Sequence, residues 1–352
     1  MKISAALLLV VLSASHYAQE KDEDSRQDAI CSAYKEVPLP AEATSFPQPK
    51  IFPACESYKL YSGIGEPKDY TAARQCAWQE RLAMNAKLPQ NPKASTSYGV
   101  GGTGILMELY ANGLGLKRNL PLALRLGCED GIAESALDDL AARIKDSSAA
   151  KKPFDSCDFA TTTFEIGFCV GYHSEITDDR RLHALNQLSA SWPTDQKRAF
   201  AALIQADAAY AEGHGRGELN TEGTDRAYEG TFSEEILLDA FTFLVRTLEK
   251  GQFPSFTAKD AVLADQRLEG IYKRNLASAE KKREEYGAVD PGKLRETQDA
   301  WTRYRDAWMV FGRLRYPKMS PESLRAKITW DRVRLLRETC FEIDYEDQGC
   351  GR

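Results

Sequence analysis

Histidine is scarce in this chain, at four in 352 residues, and none of its eight cysteines forms a C-x-x-C pair. His173, His183 and His214 do not sit beside cysteines at zinc-ligand spacing, and no metal or other cofactor is expected. No serine or cysteine is set in a nucleophile motif, and no stretch spells out a reaction. No apolar run approaches the ~20 residues that a bilayer-crossing helix needs, which argues against a membrane span. The net charge of −6 is too mild to imply a polyanionic partner, which argues against nucleic acid.

What is there is the composition of folded protein, 43% hydrophobic and 28% charged, enough for two or three units with their own cores. Lys2, an apolar stretch from Ile3 to Leu12, and the small residues Ser13, Ala14, Ser15 and Ala18 read as a signal peptide over 1–18. The expected location is therefore periplasmic or secreted. In such an oxidising compartment Cys31, Cys55, Cys76, Cys128, Cys157, Cys169, Cys340 and Cys350 read as up to four disulfides. Many connectivities are open to them, and pairing in sequence order (31–55, 76–128, 157–169, 340–350) is one. Charge is uneven along the chain. From Thr257 to Arg352 there are 20 Lys and Arg against 17 Asp and Glu, leaving 26 against 35 in the rest.

Residues 19–60 are polar and then proline-rich, an arm or linker. The pattern turns helical over 61–150. Gly99, Gly101 and Gly104 satisfy G-x-G-x-x-G, but Asn91 to Tyr98 reads as a loop where a dinucleotide site needs a strand, so the glycines are expected only to lead into a helix. Beyond them come Leu106, Tyr110-Ala111-Asn112-Gly113-Leu114-Gly115, Ala123, Gly131 and Ala136. This spacing resembles the SEL-like helical repeat, a relative of the tetratricopeptide repeat, and implies a short array of paired helices with a binding surface and no chemistry.

Residues 151–256 are expected as a cysteine-bearing connector over 151–171 followed, from Asp178, by a middle helical region. Within it, His214 sits in Gly213-His214-Gly215-Arg216-Gly217, which reads as a solvated turn rather than an acid–base loop. Glu218, Asp225 and Glu229 could be cast as a carboxylate pair for glycoside cleavage; the plainer expectation is solvated acidic residues.

The richest pattern lies in 257–352. Leu294, Trp301, Tyr304, Trp308 and Phe311 are seven, three, four and three apart, with Thr297 in the gap, one stripe of an amphipathic helix. Two tryptophans and a tyrosine on one stripe are core, to be buried against partner helices. Asp265, Leu268 and Tyr272 lie on a helix before it. Gln298, Trp301, Tyr304, Arg305 and Asp306 lie on the aromatic helix, and Thr329 and Arg332 on one after it. These three blocks, D-x-x-L-x-x-x-Y, Q-x-A-W-x-x-Y-R-D and T-x-x-R, resemble the LprI-type lysozyme-inhibitor domain. Where that family commonly carries a cysteine after the Y-R-D run, this chain has Trp308.

The resemblances together imply an all-α protein, a short SEL-like helical-repeat module followed by an antiparallel helical bundle. They imply an exported, non-enzymatic binding protein of the bacterial cell envelope whose protein partner is lysozyme or another peptidoglycan-cleaving enzyme. A periplasmic scaffold using the helical repeats, and a hydrolase built on the Glu218 to Glu229 region, are the alternatives. Arg305 and Asp306 are expected to form a structural ion pair or hydrogen bonds between helices rather than a partner-contacting site.

Overall fold

Every regular element among the described residues is helical in the computed structural model. The structure describes residues 26–43, 55–87, 99, 101–146, 152–219, 226–286 and 288–343. The signal-peptide reading lies outside them. The chain divides into two compact units, Met1–Asp179 and Arg180–Arg352.

The first unit holds a helix over residues 26–34 (α1), then α2 (Ser57–Ser62), α3 (Tyr70–Lys87), α4 (Gly102–Asn112), α5 (Leu120–Asp130) and α6 (Glu134–Lys145). It also holds the first part of α7 (Thr163–Ser189). Neighbours in sequence pack on one another from α2 through α6. Helix α4 is apolar on nearly every side and buries Ile105, Leu106, Met107, Leu109 and Ala111 between α3 and α5. Gly113 ends α4 at φ 68°, a left-handed conformation that glycine adopts without strain, and its N–H donates to the Leu109 carbonyl. Asn119 caps α5 by accepting from the Leu122 N–H at 3.2 Å, with proline in the first turn.

Three disulfides staple this unit: Cys31–Cys128, Cys55–Cys76 and Cys157–Cys169. The last is the sequence-order pair; 31–55 and 76–128 are corrected. Pairing follows which helices lie side by side: α1 is held against α5, and the chain before α2 against α3. Cys340 is also disulfide-bonded, whereas Cys350 lies outside the described residues. The expected connector is helical from Thr163 onward. Gly167 and Gly171, poor helix formers, obscure the periodicity there.

The second unit comprises the end of α7, α8 (Thr194–Gly217), α9 (Arg226–Glu249), α10 (Ala258–Lys282), α11 (Pro291–Arg315) and α12 (Pro321–Ile343). All share one core. Its axis is α11, on which Leu294, Thr297, Trp301, Tyr304, Trp308 and Phe311 are buried as the stripe predicts. Trp308 is enclosed in this core, its ring 5.6 Å from that of Phe241 and 6.0 Å from Phe311. Helix α11 runs antiparallel to α8, since Arg315 reaches Gln196 while Thr297 donates to the Gly213 carbonyl at 2.8 Å. It is antiparallel to α12 as well, which leaves α10 and α12 parallel: Asp265 meets Arg325, and Asn275 donates to the Leu336 carbonyl. A full capping box, Thr257 with Asp260, opens α10.

Two outcomes are expected here. Peptide mapping without reduction should recover Cys31 linked to Cys128 and Cys55 linked to Cys76. The double substitution of Cys31 and Cys128 by serine should lower the stability of the first unit by about 2–5 kcal/mol in urea denaturation, because the bond closes a loop of 97 residues.

Candidate functional site

The stripe of α8 that faces α11 runs Phe200, Leu203, Asp207, Tyr210 and His214, spaced three, four, three and four, with Glu218 next at its end. Four of these six are ionisable, and all six are buried. Helix α8 continues through Gly213-His214-Gly215-Arg216-Gly217, so the expected solvated turn at His214 is corrected. Glycine serves close packing there: a Cβ on Gly215 would stand 2.6 Å from the Gly230 carbonyl oxygen of α9. The expectation that Glu218 is solvated is corrected too; it is 0% exposed.

Glu218 is buried because Arg332 of α12 meets it with both ends of its guanidinium. Nη1 donates to one carboxylate oxygen at 2.6 Å and Nη2 donates to the other. Gln298 of α11 accepts from Nε at 3.1 Å and Nη2 at 3.0 Å, and Arg332 lies over the ring of Tyr210 at 5.4 Å. His214 completes the cluster, its Nδ1 donating to Glu218 at 2.9 Å. Burial pushes the Glu218 carboxyl up, but the charge and hydrogen bonds of Arg332, with the bond from His214, outweigh it and hold the group at about 2.

Beside this cluster a cleft of about 690 Å³ opens between α9 and α12, floored by α8 and α11. Leu237, Phe241 and Leu244 form one wall, Ile328 and Leu335 the other, and Trp301 and Tyr304 the base. At its rim Ile236 and Phe243 are 52% and 73% exposed. Lys327 and Arg334 on the opposite rim are both drawn to Asp331. Asp207 also lines the cleft. It is 3% exposed and, unlike Glu218, makes no hydrogen bond or ion pair among the described residues. Burial pushes its carboxyl well above the usual range, opposed by the charge of Arg181, which is itself taken up by Glu235 and Asp239 of α9.

The residues singled out in the sequence thus separate. Gln298 and Arg332 meet in the buried cluster, and Trp301, Tyr304 and Arg332 line the cleft. Asp265 pairs with Arg325 at 2.5 Å, away from it. Leu268 is core and Tyr272 packs at the core's edge. Thr329 is buried. Arg305 forms an ion pair with its neighbour Asp306 at 3.0 Å, within α11, and stacks over Trp301 at 5.1 Å. Of the imagined carboxylate pair, Glu229 is exposed on α9, far from the cluster in character, and Asp225 lies outside the described residues. Gly102 opens α4, as the glycine-rich motif predicts. Both groupings with metal-ligand geometry, around Cys55 with Cys76 and around Cys157, use cysteines already in disulfides. Sequence reasoning missed Asp207 and the burial of Glu218, although their place on an apolar stripe of regular spacing was a usable signal.

The second unit is an all-α helical bundle with a buried ionic centre and an apolar cleft. Residues 255–336, from the approach to α10 through most of α12, match the family described as lysozyme inhibitor LprI. The match includes Gln298, Trp301, Tyr304 and Arg332, but not α8, which supplies Asp207 and Glu218. No curated protein and no solved structure matches the chain.

The two carboxyls should respond to pH with opposite signs. Folding lowers Glu218 from its ordinary value of 4.5 to about 2, so its stabilisation is present above 4.5 and is lost as pH falls towards 2. Glu218→Gln should cost about 3–5 kcal/mol at neutral pH by leaving Arg332 buried without its counter-charge, and urea denaturation should show a flatter acid limb. Folding raises Asp207, so its contribution is present below the ordinary value of 3.8 and is lost as pH rises through the raised value. Asp207→Asn should therefore raise the thermal midpoint, by more at pH 8 than at pH 5.

Proposed function

We propose that this protein is an exported, non-enzymatic protein-binding protein of the bacterial cell envelope that inhibits a lysozyme. The observation that carries this reading is the match of residues 255–336 to the lysozyme inhibitor family. The same helices supply part of the floor and one wall of the open cleft in the second unit. Three disulfides support an oxidising compartment, as does the signal-peptide reading of residues 1–18. No helix among the described residues is long and apolar enough to cross a membrane. Lysozymes of animal hosts are commonly basic, so the acidic surplus ahead of Thr257 favours their approach.

Glu218 supports binding rather than hydrolysis. A general acid needs a pKa near the working pH and access to substrate; this carboxylate is fully buried, strongly ionised and neutralised by Arg332. A scaffold is the second reading. It is favoured by the sequential packing of α2 to α6 and the glycine-ended α4, the features of a SEL-like array.

Lysozyme activity on cell walls, with the protein titrated in from Gln19 onward, tests the proposal. Stoichiometric inhibition is expected, with affinity that weakens as salt rises. Absence of binding at micromolar concentration would sink the inhibitor reading for that lysozyme and leave the scaffold.

A further inference from the structure

The geometry points to the α9–α12 cleft as a socket for one lysine or arginine side chain of a partner protein, its aliphatic stem on the aromatic floor and its cationic head at Asp207. This deepens the protein-binding reading above and rests on it. Three observations converge. The cleft, at about 690 Å³, has room for a long side chain and part of the backbone that carries it. Its walls are apolar to the base, where Trp301 and Tyr304 present ring surface to a methylene chain or a cation. Asp207 lines it too, 3% exposed, with no hydrogen bond or ion pair among the described residues.

The surrounding charges favour a cation over other occupants. Arg332 is neutralised by Glu218 beneath the floor, and Lys327 and Arg334 lean on Asp331 at the rim. Glu338 at the mouth is exposed. Among the described residues Asp207 has no hydrogen bond or ion pair, Arg181 being taken up by Glu235 and Asp239, and a buried carboxyl without a partner costs free energy that an arriving cation offsets. A purely apolar side chain would fill the cleft and leave that cost standing. An acidic one would meet Asp207 directly. The exposed Phe243 and Ile236 at the rim offer apolar surface to the partner backbone around such an anchor.

Calorimetric titration of the full chain with three acetylated glycine pentapeptide amides, carrying lysine, norleucine or glutamate at the centre, tests the assignment. The lysine peptide should bind at least about tenfold more tightly than the norleucine peptide, and the glutamate peptide should not bind. Asp207→Asn should erase the lysine advantage while keeping the helical circular dichroism; should that variant not fold, the nearly isosteric Asp207→Leu carries the same comparison. Equal affinity for lysine and norleucine, no binding of either at millimolar concentration, or undiminished lysine binding by the variant would each overturn the assignment. Lysozyme titration separates the two levels. Lysine binding that depends on Asp207 without lysozyme inhibition defeats only the inhibitor reading. Inhibition by both wild type and variant, without lysine selectivity, defeats only the socket.

Discussion

The second unit is organised around one buried ion pair. Glu218 closes the end of α8 and Arg332 projects from the middle of α12, and each is fully enclosed. Removing two charges from water costs several kcal/mol apiece, so the pair is tolerable only because every arm of the guanidinium is engaged. Its geometry therefore sets the register of α8, α11 and α12 together: Gln298 must lie opposite Arg332, and Tyr210 must lie beneath it. The aromatic packing follows from that register, with Tyr210 stacked on Tyr304 at 5.4 Å and Phe241 edge-on to Trp308.

The contrast between Glu218 and Asp207 shows how environment decides what a carboxyl does. Both lie on the same stripe of α8 and both are buried. Glu218 has a bidentate cation and a histidine, and stays ionised deep in the core. Asp207 has only the distant influence of Arg181 and is pushed the other way. The first carboxyl builds structure. The second faces a cleft, where a buried carboxyl without a bonding partner is a liability to the free protein and a recognition element for a bound one.

The first unit is held by a different means. Its helices stack in sequence order with α4 as the apolar centre, and three disulfides link segments that short arrays of paired helices would otherwise hold weakly. The Cys31–Cys128 bond secures α1, the element most remote in sequence from its neighbour α5.

Much of this was legible from the chain alone. The stripe from Leu294 to Phe311 announced a buried aromatic helix, because helical periodicity is a local property of the sequence. What lay beyond reach were the encounters between distant segments. Glycine and acidic residues around His214 and Glu218 read as a solvated turn, since local propensity does not register the Arg332 that comes 114 residues later to neutralise them. Disulfide partners were likewise open until the helices were placed side by side. Sequence determined the helices and their apolar faces, which depend on neighbours a few residues away. Tertiary structure alone decided which buried charges found partners, because that depends on which helices meet, and among the described residues it left Asp207 facing the cleft without one.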